Sequence, residues 1–170
     1  MTISMYRASV PVFQKLLGNL EYLLDKAVAD AKARKYDESV LLQARLAPDM
    51  FSLTRQVLIA ADYAKGTPAR LAGVDVPRFE DAENTFDELR GRLKKTQDYI
   101  VQFKASQIDG SEDRPITFKA GPRELNFKGI DYLVGFAMPN FYFHYTTVYA
   151  ILRHNGVPLG KPDYVSGAGG

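Results

Sequence analysis

Cysteine is missing from this sequence of 170 residues, which excludes disulfides, thiolate metal sites and cysteine nucleophiles together. Long apolar runs are missing as well, because no segment approaches the roughly 20 apolar residues that a membrane-spanning helix needs. The first residues, MTISMYRAS, lack the apolar run of a secretory signal peptide. We therefore expect a cytoplasmic protein with no membrane partner.

Neither sign of charge is in large excess. Lys and Arg together number 22 and Asp and Glu number 20, for a formal net charge of +2. No dense basic run is present, so nothing in the composition favours a nucleic-acid partner. With 46% hydrophobic residues, the chain can bury a core of its own, and its length suits one domain. We expect this domain over residues 1–165, followed by a flexible, glycine-rich tail over residues 166–170.

Four segments carry apolar residues at steps of three and four, the spacing of an amphipathic helix. They are predicted from Met5 to about Arg34, from about Met50 to Lys65, from Asp81 to Phe103 and from Gly129 to Leu159. The first helix either begins at Ser9, with Pro11 in its first turn, or bends at Pro11.

Capping and breaking residues suggest where the second and third helices begin and end. Asp49 follows Pro48 and is suited to cap the second helix, and Gly66-Thr67-Pro68 is expected to end or break it. Asp81 is expected to open the third helix. Its outer face would carry Arg92 with other charged residues, where such pairs add only a few tenths of a kcal/mol.

The spacing of apolar residues changes before the last helix, from steps of three and four to alternation. Residues 116–119 and 124–127 alternate polar and apolar, with Gly121-Pro122 between them. This pattern predicts a short β-hairpin. The fold class is therefore all-α: a four-helix bundle with a short β-hairpin inserted before the last helix. Polar sites in such bundles are built from inward side chains on facing helices.

The last helix is the most informative segment. One of its faces carries His144 among apolar residues: Ile130, Val134, Ala137, Phe141, Val148 and Ile151. Asn140 lies one turn before His144 on the same side, and Pro139 predicts a kink near Gly135. A histidine in this position is either a metal ligand or general base, or a core residue satisfied by hydrogen bonds.

Aromatic residues surround most of this helix: Phe141, Tyr142, Phe143, Tyr145 and Tyr149. Two sides of one helix cannot face the same core. Either the helix is central, or its outer side meets another subunit, or the hairpin or the tail covers that side. We favour a homodimer.

Several pieces of the chain resemble a known group of proteins: SMYRASVPVF, RLAPDMFSLTRQV, the AKG…ARLAG segment and PNFYFHYTTVYAILRHNGVPLG. The chain is similar over nearly its whole length to an uncharacterised bacterial family within the DinB/YfiT-like superfamily of putative metalloenzymes. The resemblance implies an up-down-down-up four-helix bundle, often dimeric. Metal-binding members of the superfamily carry three histidines, one on the second helix and an HxxxH pair on the last.

Here the resemblance places His144 at the second histidine of that pair, Asn140 at the first and Gln56 near the ligand on the second helix. Two of the three implied ligands are therefore amides. The implied cofactor is a divalent metal, Zn or Ni, whereas amide oxygens suit harder ions better. The three residues could instead form a hydrogen-bonded trio.

A carboxylate could still complete a metal site, and Asp49 and Asp62 are the candidates on or beside the second helix. Arg153 could hold a substrate carboxylate or phosphate, although a structural ion pair is favoured. His154 is expected to interact with the C-terminal end of the helix rather than to bind a metal ion together with His144.

Three functional hypotheses follow. The first is a DinB-like protein with a degenerate metal site that binds a small molecule in the bundle pocket without catalysis. The second is a metal-dependent enzyme, transferring a thiol cofactor or hydrolysing a small substrate, which rests on fold analogy. The third is a non-enzymatic, dimeric interaction protein.

Overall fold

The structure is a computed structural model that describes residues 3–169. Its elements, in chain order, are α1 (Val10–Arg34), α2 (Ser39–Leu42), α3 (Leu53–Ala72), α4 (Phe86–Ile100), α5 (Ala105–Ile108), β1 (Pro115–Ala120), β2 (Arg123–Lys128), α6 (Gly129–Asp131), α7 (Met138–His154) and α8 (Lys161–Ser166). A π-helical segment, Tyr132–Ala137, joins α6 to α7, and Gly167–Gly169 form a 3-10 turn. The fold is mostly helical, with one two-stranded antiparallel sheet. Between residues 3 and 169, no helix has both the length and the apolar character to cross a membrane.

Of the two predicted starts of the first helix, the later one is observed. α1 begins at Val10, so that Pro11 lies in its first turn, where a missing N–H costs no helical hydrogen bond. The Ser9 hydroxyl donates to the carbonyl of Met5 at 2.7 Å instead of capping α1.

The predicted bounds of the second long helix are wrong at both ends. α3 begins at Leu53 with Ser52 as N-cap, not at Asp49, and it continues through Gly66 and Pro68 to Ala72. Pro68 has no N–H to donate to the preceding turn. All residues from 64 to 69 are buried, and tertiary packing of this kind overrides the local preference of Gly and Pro.

The predicted start of the third long helix is also wrong. α4 begins at Phe86 behind a capping box, in which Thr85 accepts from the Glu88 backbone N–H and the Glu88 carboxylate accepts from the Thr85 N–H. Asp81 lies in the loop before it and pairs with Arg92 at 2.5 Å. Arg92, expected on the outer face, has a side chain only 2% exposed, because the loop supplies its acidic partners.

The predicted hairpin is confirmed, and it covers a second apolar core at one end of the molecule. Ile116 of β1 pairs with Phe127 of β2, and Phe118 pairs with Leu125. Beneath them lie apolar residues from several elements: Met5, Val10, Ala69, Leu71, Phe103, Ile108, Tyr132, Leu133 and Ala137. The main core fills the space between the four long helices.

The last helix is irregular upstream of Pro139, although the irregularity is a π segment rather than a simple kink. A π turn holds more residues than an α turn, so the side chains before it are rotated relative to those after it. Ile130 and Val134, predicted to face the core, are 37% and 56% exposed. Tyr132 and Leu133 are fully buried in their place.

Contacts along α3 and α7 show that the two helices run antiparallel. The Gln56 side chain meets His144, and Arg70 meets Tyr132 at the far end of α3. Residue numbers therefore rise along α3 as they fall along the last helix. The functional candidates of both helices lie along this shared seam.

α1 runs in the same direction as α7 and opposite to α4. The Phe13 and Phe141 rings lie 5.0 Å apart at one end of α1. At the other end of α1, Arg34 donates a hydrogen bond of 3.0 Å to the Asn155 carbonyl. Against α4, in contrast, Asp25 pairs with Arg90 at 2.6 Å, and Gly18 lies beside Gln97.

The C-terminal segment is attached to α1 and α7 by hydrogen bonds. The Asn19 side-chain amide donates to the carbonyls of Tyr164 and Val165 at 3.1 and 3.0 Å. The Tyr145 hydroxyl donates to the Tyr164 carbonyl at 2.6 Å. Gly167 belongs to the segment predicted to be a flexible tail. It is buried against Asn19, where a larger side chain would collide. Gly170 lies outside the described residues.

Candidate functional site at His144

His144 on α7 and Gln56 on α3 meet at the seam between the two helices. Nδ1 of His144 lies 2.6 Å from Oε1 of Gln56. Both residues are buried, with 9% and 1% of their surface exposed. The structure therefore brings together two of the residues predicted for the site, from segments 88 positions apart.

The hydrogen bonds of Gln56 determine which nitrogen of His144 carries the proton. Gln56 Nε2 donates to the Phe51 carbonyl at 3.2 Å, which directs Oε1 towards the imidazole. Because a carboxamide oxygen only accepts, Nδ1 of His144 must be the donor. Nε2 of a neutral His144 then holds a lone pair.

His144 is neutral near pH 7. Burial, with the positive charge of Arg55 as a second cause, lowers its pKa from 6.5 to about 4. Its ring lies nearly parallel to that of Tyr63, with centroids 6.1 Å apart. The Phe143 ring meets it edge-on at 5.2 Å. These surroundings disfavour the imidazolium and leave the ring as a hydrogen-bond acceptor.

Nε2 of His144 reaches the molecular surface. Among residues 3–169 it has no hydrogen-bond partner. Within the same residues, five side-chain polar atoms are both fully buried and without a hydrogen-bond partner: Glu83 Oε2, Arg90 Nε, Arg92 Nε, Thr96 Oγ1 and Ser111 Oγ. Nε2 of His144 does not belong to this group, so it is partly exposed. The small exposed part of His144 therefore includes the nitrogen with the free lone pair.

Asn140 does not complete a trio by hydrogen bonding. Its side-chain amide donates to the carbonyl of Phe136 at 2.7 Å, one turn earlier on the same helix. Within the described residues it makes no hydrogen bond to His144 or Gln56. Asn140 is half-buried, so it lies on the same side of the helix without joining the pair.

The two candidate carboxylates do not join His144. Asp49 is exposed in the loop before α3. Asp62 pairs with Lys65 at 2.7 Å and with Arg92 at 3.7 Å, and six residues after Gln56 it lies on a different side of α3. Residues 3–169 contain no group of three or more His, Cys, Asp or Glu side chains placed to hold a metal ion. The donor set of one imidazole and two amides does not fit Zn or Ni.

The basic residues at the end of α7 lie apart from the seam. Arg153 and His154 are both exposed, and Arg153 forms no ion pair within residues 3–169. It is Arg34 of α1 that donates to the Asn155 carbonyl at this helix end.

An apolar groove lies beside Phe143, whose ring contacts His144. It has a volume of about 450 Å³ and is lined by Leu46, Met50, Tyr142, Phe143, Thr146, Thr147 and Ala150. Phe143 belongs both to this groove and to the surroundings of the imidazole. The site therefore combines one neutral acceptor atom with an apolar surface.

Sequence reasoning missed two residues of this seam, Tyr63 and Arg70. They lie seven and fourteen positions after Gln56, a spacing that keeps them on one helix face. That spacing was a usable signal. The predicted end of the second helix at Lys65 excludes Arg70, whereas Tyr63 lies within the predicted helix.

Two of three comparisons with known proteins found a match. Residues 5–165 match the model of a domain of unknown function, DUF1993. A crystal structure of a DinB family member protein from Shewanella denitrificans is 41% identical, covers 94% of this chain and 90% of its own, and superposes with a TM-score of 0.85. No curated protein matches the chain. The match over nearly the whole sequence shows that the chain belongs to the DUF1993 family.

Proposed function

We propose that the four long helices form an up-down-down-up bundle of the DinB type. The contacts support this arrangement, because α1 and α7 run one way and α3 and α4 run the other. In this bundle, the Gln56–His144 hydrogen bond occupies the place where metal-binding relatives would hold their ion.

The proposed function is non-catalytic binding of a small molecule at His144, without a metal. The observation that carries the proposal is the hydrogen bond from His144 Nδ1 to Gln56 Oε1. It leaves Nε2 as an acceptor, and Phe143, whose ring meets the imidazole, also lines an apolar groove. The ligand we infer is uncharged, has an apolar body and donates one hydrogen bond.

Selectivity for such a ligand follows from the electrostatics of the seam. Because the pKa of His144 is about 4, the imidazole offers a lone pair rather than a positive charge at pH 7. A ligand without a donor would leave Nε2 unpaired when it displaces water, which costs about 1–3 kcal/mol. The groove residues, which include Phe143 and Met50, would bury the apolar body.

Phenol and anisole test the proposal, because they differ by the one hydroxyl donor. In a titration followed by 15N NMR of the histidine rings, we expect phenol to shift the Nε2 resonance of His144 saturably and anisole to shift it much less. In a calorimetric titration, which does not depend on the His144 resonance, His144→Phe should lose phenol binding, and His154→Gln, at the exposed helix end, should keep it. Equal responses to phenol and anisole, or unchanged phenol binding by His144→Phe, would refute the proposal.

We also propose a homodimer, formed through the outer side of α7 together with α1 and α8. Two adjoining apolar grooves support it, one of about 510 Å³ and one of about 330 Å³, which share Tyr164 and Val165. Tyr142 and Val165 are 41% and 43% exposed there. This surface leaves most of the groove at His144 free, so both proposals can hold in one assembly.

A further inference from the structure

A second, smaller pocket lies between α3 and the hairpin, away from the His144 groove. It has a volume of about 150 Å³ and is lined by Asp62, Tyr63, Arg70, Phe118 and Lys119. This volume suits a carboxylate or a phosphate group rather than a large ligand. Its chemistry is that of a cationic site, because two of its five residues are basic and its acidic residue is paired elsewhere.

Arg70 is held in one orientation by three neighbours. Its Nη1 donates to the Tyr132 hydroxyl at 3.1 Å, and its guanidinium carbon lies 4.4 Å from the centre of the Phe118 ring. On its other side lies Gly66, where any Cβ would collide with Nη1. Gly66 therefore provides the space that the guanidinium occupies against the helix backbone.

No acidic group neutralises Arg70. Within residues 3–169, Arg70 forms no ion pair with a carboxylate. Asp62, which lines the same pocket, is bound to Lys65 at 2.7 Å and lies 3.7 Å from Arg92. Lys119 on β1 adds a second positive charge at the rim. Only one of the five N–H groups of Arg70 has a partner among the described residues, which leaves donors for a ligand.

The tyrosine that lines the pocket, Tyr63, stays protonated and can donate. Burial raises the pKa of Tyr63, with the neighbouring Tyr132 as a smaller cause in the same direction and Arg70 opposing it. Tyr132 reaches Arg70 because the π segment turns it inward, where it is fully buried. Such π turns are frequent at functional sites.

We propose that this pocket binds a small oxyanion, the carboxylate or phosphate group of a metabolite, through the guanidinium of Arg70 and the ammonium of Lys119. A guanidinium held flat presents its N–H groups as a fork that matches both kinds of oxyanion. The groups that would hold the anion are Arg70 and Lys119 and not His144, so either proposal can fail without the other.

The test titrates the full-length protein with inorganic phosphate and, separately, with acetate, following the side-chain Nε–H resonance of Arg70 by NMR. We expect a saturable shift with at least one of the two anions. Tighter binding of phosphate would assign a phosphate group, and tighter or equal binding of acetate would assign a carboxylate. The absence of a saturable shift with both anions would overturn the proposal.

Three variants separate a built site from general attraction by positive charge. Binding by the variants is measured by calorimetric titration, because Arg70→Gln lacks the resonance followed above. Arg70→Gln should weaken anion binding at least about tenfold. Gly66→Ala keeps every charge and favours the helix, yet its Cβ displaces the guanidinium, so binding should fall by a similar factor while the circular dichroism spectrum is unchanged. Arg123→Gln removes one charge at the exposed tip of the same hairpin and should bind as the unaltered protein does. Equal weakening in Arg123→Gln, or full binding by Gly66→Ala, would overturn the proposal.

Discussion

Nδ1 of His144 lies 2.6 Å from Oε1 of Gln56, a contact between a buried imidazole and a buried amide. Within residues 3–169, neither side chain bonds to a carboxylate. The ring is therefore oriented by a neutral partner, which does not stabilise the imidazolium as a carboxylate would. Its properties are those of an uncharged acceptor, and the first prediction concerns its titration.

Protonation of His144 should make the protein less stable in mild acid. Its pKa is about 4 in the folded protein, against 6.5 for an ordinary histidine. Between these values the unfolded chain binds more protons than the folded chain, so the free energy of unfolding falls as the pH falls through this window. We expect His144 to contribute a loss of about 1–3 kcal/mol, allowing for partial solvent access. Urea unfolding from about pH 7 to about pH 4 measures it.

The matched variant for this measurement is His144→Phe, which has a ring of similar shape without the titrating group. Its unfolding free energy should fall less steeply with acid than that of the unaltered protein. Aspartates also titrate at the acidic end, but they contribute equally to both curves. Parallel curves would contradict the assignment of the acid sensitivity to His144.

Arg92 should be a major contributor to stability. Its side chain is 2% exposed and pairs with Asp81 at 2.5 Å and Glu83 at 3.2 Å. Arg92→Leu would leave Glu83 without its cation and Asp81 with Arg55 alone, and we expect a cost of about 2–4 kcal/mol in urea unfolding, reduced by the partial exposure of the partners. Lys94→Leu removes an exposed pair with Asp98 and should change stability by no more than about 0.5 kcal/mol. Similar effects of the two changes would contradict the structural role of Arg92.

The π segment should tolerate the loss of a residue that a regular helix does not tolerate. Deleting Val134, which is 56% exposed, can convert π turns into α turns while α7 keeps its own register. Deleting Ala150 from the regular part of α7 would rotate one side of the helix by about 100° against its neighbours. We expect the first variant to remain folded and the second to lose more than about 4 kcal/mol or fail to fold, as measured by thermal unfolding. Equal losses would contradict the role of the π segment.

The proposed dimer should depend on Val165 and not on exposed valines in general. Val165→Glu places a charge in the grooves beside α7 and should give a monomer in light scattering coupled to size exclusion. Val74→Glu, at a residue 48% exposed in the loop after α3, is the control and should remain dimeric. A monomeric unaltered protein would refute the dimer, and a dimeric Val165→Glu would place the interface elsewhere.

The sequence predicted α1 and the hairpin, because periodicity and turn residues act locally in each. The place of Gln56 near His144 was implied by the family resemblance and not by periodicity, since the two residues are 88 positions apart. It did not predict that α3 passes through Gly66 and Pro68, since the burial that stabilises this turn comes from distant segments. Asp81 looked like a helix cap because its partner Arg92 is eleven positions away. The rotation of Tyr132 into the core was also missed, because a π turn has no periodicity signal of its own.

The hydrogen bonds of the Asn19 amide have a consequence for the order in which contacts form while the chain is being synthesised. Its two acceptors, the carbonyls of Tyr164 and Val165, are synthesised 145 and 146 residues after it. While the ribosome is still adding them, α1 already carries the apolar surface of the main core and a polar side chain without its partners. Helix formation in α1 can begin early, but the closing contacts of the domain form only when nearly all of the chain has emerged. A nascent chain paused before Tyr164 would thus leave Tyr145 without its ring partner and the Asn19 amide without its acceptors.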